Sequence, residues 1–317
     1  MKDNMKDNMK DNMKDNMKDN MKDNMKDNMK DNMKDNKKNR KHAKSSSRQK
    51  HVIITGGGSG LGFGLATRYL KQGASVTILD LSITDEQQNT LAESAKNNHA
   101  GCLFLTTNIT VAEEVKQSIS AAIEQYGPPD LAINSAGILI NKTLENTTPE
   151  AFKRIIDVNL NGSFNFASAV LPLMKPGSRI ALIASVAGLI SNYGYSAYGA
   201  SKFGVVGLAT TLRYEYEHKG INVSCVCPPE VKTPMVAVEH ASGDPVSLEL
   251  KKFAGSMQPD DACDQIFKGI EAGKWMIIPS MNAKSLILIS RLFPRLFSVS
   301  MQQLIRFAVN KVNFSKT

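Results

Sequence analysis

The sequence predicts an α/β fold, a doubly wound sheet of seven mostly parallel strands. Three observations predict it. Short β-branched runs alternate with helix-length segments from residue 51 to about 280, a glycine-rich turn joins the first run to the first helix, and an acidic residue, Asp80, ends the second run. Strands alternating with helices of this length build βαβ units, and right-handed crossovers then place helices on both faces of the sheet.

Residues 1–36 are MKDN repeated nine times. Met recurs every four residues among Lys, Asp and Asn, so no apolar face forms, and Asp and Asn are poor helix-interior residues. Disorder is expected there, and each unit offers a methionine at which translation could begin. Residues 37–50 are a basic, Ser-containing linker, read as a solvated arm, with a membrane or nucleic-acid tether as the alternative. Structure is expected from His51. Val52, Ile53 and Ile54 form the first strand, and a helical pattern follows the glycine turn to about Gln72. The alternation then predicts strands over 75–80, 102–106, 130–134, 179–184, 221–227 and 275–278. Helices are predicted near 84–97, 111–126, 148–172, 195–218 and 259–272. No second domain is expected within 51–280. Residues 281–317 read as a basic amphipathic helical tail. Apolar pairs such as Leu292-Phe293 and Leu296-Phe297 alternate with Arg291 and Arg295, Pro294 breaks the run, and Leu304, Phe307, Ala308 and Val312 recur at helical spacing. Contact with a membrane surface and packing on the body or on another subunit are both open for it. A homo-oligomer is expected.

The chain has 317 residues, 42% of them hydrophobic, enough for a substantial core. Its formal charge of +9 resides at the ends: the linker and residues 272–317 carry seven basic residues each and no acid, whereas 51–271 carry 16 basic and 21 acidic residues. A mildly acidic body argues against nucleic acid as a partner, and basic ends suit an anionic membrane surface better. Cys102, Cys225, Cys227 and Cys263 have no zinc-ligand spacing, so no metal is expected, and Cys225 and Cys227 read as core thiols on one strand face. Without a signal-peptide pattern, a reducing, cytoplasmic compartment is expected, peripheral to a membrane if the tail binds one. The apolar stretches are too short or too interrupted by charge to span a bilayer.

The segment Thr55 to Gly62 (TGGGSGLG) follows the first strand and opens the first helix. Gly56, Gly58, Gly60 and Gly62 let the backbone approach a pyrophosphate, and the helix N-terminus around Ser59 and Leu61 offers free N–H groups to it. Asp80 stands where a dinucleotide fold places its ribose-binding carboxylate, which accepts from the adenosine ribose hydroxyls and repels a 2′-phosphate. No Arg or Lys lies in the turn or directly after Asp80, so NAD is expected over NADP.

Tyr198 and Lys202 are four residues apart and share a helix face. An ammonium there favours the phenolate, so Lys202 is expected to draw the Tyr198 phenol down from about 10, suiting it to proton exchange with a carbonyl or alcohol oxygen. Tyr193 and Tyr195 lack a Lys four residues on. Ser185 ends the fifth strand, where a hydroxyl can hold a substrate oxygen. Asn159 is a polar intrusion in an apolar helical pattern, either a participant in the site or a buried amide bonded to main chain.

In the order and spacing of these residues the sequence resembles the short-chain dehydrogenase/reductase family over residues 51–280, with its Rossmann-type sheet. The resemblance rests on the turn Thr55–Gly62, on Asn134-Ser135-Ala136-Gly137 and on Asn159, Ser185, Tyr198 and Lys202. It implies that Asn134, Ala136 and Gly137 lie beside the cofactor and that Tyr198 is the acid/base. Lys202 then orients ribose, Ser185 holds the substrate and Asn159 supports a water relay. By the same resemblance Asn108 and Ile109 flank the adenine, Asn108 standing where the family often has Asp. Pro228 and Val231 belong to a loop by the nicotinamide, in which Pro228-Pro229 replaces the usual Pro-Gly. Residues 228–234 and the basic tail are similar to 3-ketodihydrosphingosine reductases, which act on a long-chain keto lipid at a membrane. Those usually use NADPH and carry Arg near position 80, so Asp80 departs from them. An apolar small-molecule substrate is expected, with Met235, Val236, Val238, Phe253 and Met257 contributing to its pocket.

Overall fold

The computed structural model describes residues 49–314. The disorder expected of the MKDN repeat, and nearly all of the basic linker, lie outside these residues. Within them the chain runs β1 (His51–Thr55), α1 (Gly60–Lys71), β2 (Ser75–Asp80), α2 (Asp85–Asn97), β3 (Cys102–Thr106), α3 (Ala112–Tyr126) and β4 (Leu131–Asn134). It continues through α4 (Pro149–Ile156), a wide turn of π geometry (Asp157–Asn161), α5 (Gly162–Val170), β5 (Arg179–Ile183), α6 (Ser196–Tyr216) and β6 (Asn222–Val226). Then come α7 (Pro234–Ser242), α8 (Pro245–Ala254), α9 (Pro259–Glu271), β7 (Met276–Ile277), α10 (Met281–Leu292) and α11 (Pro294–Phe314).

The seven strands form one sheet in the order β3-β2-β1-β4-β5-β6-β7, and every neighbouring pair is parallel. The expected fold is therefore the observed one. Central strands buried on both faces read as continuous apolar runs, and β1 is buried at all five positions. Ile53, Leu79, Ala132, Ile180 and Val223 pack one face against α3, α5 and α6. Val52, Ile54, Val76, Ile78 and Ile133 pack the other against Leu65 and Tyr69 of α1, Leu91 of α2 and Ile266 of α9. Cys225 and Cys227 are free, buried in the first of these layers, with sulfurs 3.8 Å apart.

The turn after β1 requires glycine for two separate reasons. Gly56 adopts φ +63°, and a Cβ there would stand 2.7 Å from the backbone of Ala136. At Gly62 a Cβ would stand 2.1 Å from the carbonyl oxygen of Gly56, so α1 can fold back over the turn only without a side chain there.

Three segments differ in detail from the sequence expectation. The helix expected over 148–172 is interrupted by the π turn, which brings Asn159 inward. The stretch from 229 to 255, expected only as part of a pocket wall, carries α7 and α8, each with proline in its first turn. The tail is two helices. Pro294 ends α10, because it cannot donate to it, and occupies the first position of α11. α11 lies on α8, with the rings of Phe253 and Phe307 edge to face at 6.5 Å and Lys311 paired with Glu249 at 2.5 Å. Ala283 and Ile287 of α10 are buried, whereas Leu288, Ile289, Leu292 and Phe293 are exposed. No helix among the described residues is long and apolar enough to cross a membrane.

Candidate active site

A cleft of about 920 Å³ opens at the carboxyl ends of the strands, where the order reverses between β1 and β4. One half is the dinucleotide side. Gly56, Ser59, Gly60 and Leu61 border it from the turn, Asp80 from the end of β2, and Asn108 and Ile109 from the loop after β3. Ala136 and Gly137 follow β4, and Pro228 and Val231 follow β6. Ser59 makes no side-chain cap, and the first turn of α1 holds no acid, so its N–H groups are left for an anion. Asp80 accepts from the N–H of Gly58 at 2.8 Å and from that of Ser82 at 3.3 Å, which fixes its carboxylate at the rim. This cradle fits a dinucleotide pyrophosphate and ribose.

The sequence also marked residues that stand behind the cleft. Gly58, Gly62 and Asn134 do not border it. Gly62 is needed for chain packing, as above. Asn134 is buried, accepting from Thr55 Oγ1 at 2.6 Å and donating to Ser163 Oγ at 2.7 Å. Asn159 is also buried and off the cleft wall. Its Oδ1 accepts from the N–H of Ile138 at 2.8 Å, and its Nδ2 donates to the carbonyl of Ile138 and to Ser201 Oγ, both at 2.9 Å. The Asn159 side chain is thus a buried amide bonded to main chain and to Ser201.

Ser185, Tyr198 and Lys202 meet on the cleft wall. Ser185 caps a short helical turn, its Oγ accepting from the N–H of Ala187 at 3.1 Å, and it stands near the Tyr198 phenol. Lys202, on the same face of α6 as Tyr198, donates to the carbonyl of Ile183 at 3.0 Å, and its Nζ lies 5.7 Å from the Tyr198 ring centre. The expected lowering of Tyr198 by Lys202 is not what this cleft produces. Burial dominates and pushes Tyr198 up to about 12, while Ser185 draws it down in part. Burial likewise pushes Lys202 down to about 8, so it keeps its proton at neutral pH and loses it in mildly alkaline solution.

The substrate side is built by α7, α8 and α10. Met235, Val236, Phe253, Ala283 and Leu286 border it, whereas Val238 is exposed away from it and Met257 pairs through its backbone with Glu230 and Val231. Sequence reasoning missed four polar residues here: Tyr195, Glu230, Glu239 and Lys251. Tyr195 lacks a Lys four residues on, so no local pattern marks it. In the fold its hydroxyl donates to Glu239 at 2.6 Å, and burial beside that carboxylate pushes it far up.

The profile described as short chain dehydrogenase matches residues 50–242. The chain belongs to the short-chain dehydrogenase family. A 3-dehydrosphinganine reductase of Arabidopsis thaliana is 39% identical over 239 residues, 72% of this chain and 69% of that protein. A D-beta-hydroxybutyrate dehydrogenase of Rhizobium meliloti is 33% identical over 189 residues, 59% and 73% of the two chains. In fold, this dehydrogenase is similar to a short chain dehydrogenase/reductase from Burkholderia phymatum solved with NAD. The TM-score is 0.69 at 22% identity, over 78% of this chain and 95% of that one. The protein is thus an oxidoreductase of alcohol and carbonyl groups that works with a nicotinamide dinucleotide.

The depressed Lys202 has a measurable consequence. Between about 8 and its ordinary 10.5 the unfolded chain binds more protons than the folded one, so this group's contribution to stability rises with pH across that window. Replacing it by Lys202→Met removes the rise. The Tm of the variant minus that of the parent should be most positive near pH 7.5 and shrink toward pH 10.5; a difference independent of pH would refute the assignment.

Proposed function

We propose that this dehydrogenase interconverts a long-chain lipid ketone and its alcohol at a membrane surface, with NAD(H) preferred. The observation that carries the reading is the apolar substrate wall from α7, α8 and α10, next to Ser185, Tyr198 and Lys202. The similarity to 3-dehydrosphinganine reductases supports a long-chain keto lipid of the sphingoid type. A nicotinamide held in this cleft would supply or accept the hydride. Tyr198 gives the proton to the carbonyl oxygen in reduction and removes it in oxidation, and the Ser185 hydroxyl holds that oxygen. Lys202, which borders the cleft, would bond the nicotinamide ribose, and Asn159 positions the backbone of Ile138 and the start of α6 through Ser201. Gly56, Ser59, Gly60 and Leu61 receive the pyrophosphate.

Asp80 supports NAD, since its carboxylate accepts from ribose hydroxyls and repels a 2′-phosphate. The NADPH reading drawn from the resemblance to ketosphingoid reductases lacks the cation it would need directly after that position. Membrane contact rests on the tail. Leu288, Leu292 and Leu296 are exposed, and Lys284, Arg291, Arg295 and Arg306 accompany them without an acid.

Three outcomes test this reading. Tyr198→Phe is expected to lower kcat on a long-chain ketone by about 10²–10⁴-fold, the scale of lost acid catalysis, while cofactor affinity changes little; undiminished turnover sinks the mechanism. Asp80→Arg should move the kcat/KM ratio of NADH to NADPH toward NADPH by about tenfold or more, and a parent enzyme that already prefers NADPH contradicts the cofactor assignment. Exchanging Leu288, Leu292 and Leu296 for Ser in the full chain should reduce sedimentation with phosphatidylserine vesicles by about tenfold or more; equal sedimentation removes the membrane contact.

A further inference from the structure

The substrate wall holds a charge imbalance that its apolar lining does not explain. Glu239 of α7 has a fully buried side chain and Glu230 a nearly buried one, and both pair with the same ammonium, Lys251 of α8. Lys251 Nζ lies 2.6 Å from Glu230 Oε2 and forms a very short contact with Glu239 Oε2. Tyr195 and Asn141 donate neutral hydrogen bonds to Glu239 Oε1, at 2.6 and 2.8 Å. His240, half exposed, lies 3.3 Å from Glu230 Oε1, and an imidazole offsets a carboxylate only when protonated. Among the described residues these are the ion-pair partners of the two carboxylates. Two anions therefore share one fixed cation inside the cleft. A pair holding α7 to α8 would need only one carboxylate, and a surplus buried charge is costly unless something neutralises it.

The cluster also sits beside the reacting centre. The rings of Tyr195 and Tyr198 meet edge to face at 5.2 Å, and the Lys251 ammonium lies 5.5 Å from the Tyr195 ring centre. Glu230 and Glu239 border the same cleft as Tyr198, and Tyr195, bonded to Glu239 and packed on Tyr198, links them.

We propose that Glu230 and Glu239 select substrates that carry a protonated amine next to the carbonyl group. The inference rests on the ketone reading above and adds what the polar corner of the pocket recognises. The incoming ammonium supplies the second cation, so with His240 neutral the cluster reaches charge balance when an amino ketone or amino alcohol is bound. The negative charge of Glu239 is also among the influences that hold Tyr198 up. A cation placed beside Glu239 offsets it and eases Tyr198 toward the working range, so the amine contributes to turnover as well as to binding.

The test compares a long-chain 2-amino-1,3-diol with the matching 1,3-diol that lacks the amine, each titrated calorimetrically into the full chain with NADH present, so that no turnover adds heat. The amine form is expected to bind at least about tenfold tighter to the parent protein. That ratio should fall below about threefold in Glu239→Gln and, separately, in Glu230→Gln. The second variant lies on a loop and keeps the test available if the first fails to fold, which its thermal transition reports. Equal binding of the two diols by the parent, or an unchanged ratio in both variants, overturns the inference and makes the cluster a structural tie between helices. Turnover of the corresponding ketones separates the two readings. Amine-selective binding without ketone turnover supports Glu230 and Glu239 and removes the ketone assignment; ketone turnover indifferent to the amine does the reverse.

Discussion

A chain of buried hydrogen bonds runs from the glycine turn to the helix of Tyr198, and the geometry of the cleft depends on it. Thr55 donates to Asn134, Asn134 to Ser163, and Ser163 to the carbonyl of Asn159. Asn159 continues to Ser201, which bonds the carbonyl of Tyr198 at 2.7 Å. Thr55 also accepts from the N–H groups of Ser135 and Ala136, and Asn159 clamps both backbone groups of Ile138. The ends of β1 and β4, the π turn and the start of α6 are thereby held in one register. A buried network of this kind is stable only when each member is satisfied, so it has little freedom to relax, and the two sides of the cleft keep their spacing.

The rigidity matters because the cleft places ionisable groups where water is scarce. Tyr198 and Lys202 both lie in surroundings that favour their neutral forms. An isolated tyrosine–lysine pair on a helix suggests an activated phenol; burial in this fold reverses the direction. The same logic applies to Glu230, Glu239 and Lys251. Desolvation raises the cost of any unmatched charge, and the pocket consequently discriminates by charge as well as by apolar contact.

Much of the fold was legible in the sequence because a parallel sheet writes itself locally. Strands buried on both faces are short runs such as Val52-Ile53-Ile54, and helices between them follow the 3.6-residue period. The order of Thr55–Gly62, Asp80, Ser185, Tyr198 and Lys202 likewise identified the region of the cleft. The motif did not say which of its members face the ligand. Gly58, Gly62, Asn134 and Asn159 stand among the motif residues yet support the backbone from behind. Residues with a structural duty and residues with a chemical one carry the same signature in sequence.

The sequence by itself determined the strand and helix alternation, the turn that only glycine can make, the Tyr198–Lys202 face of α6 and the separation of a mildly acidic body from a basic tail. Each of these depends on residues close together in the chain, through backbone sterics, side-chain periodicity or charge composition. Tertiary structure alone decided that Tyr195, Glu230, Glu239 and Lys251 converge, that α11 lies against α8, and that burial raises Tyr198. These outcomes depend on which distant segments exclude water from one another, and that is a property of the packed chain that no local pattern records.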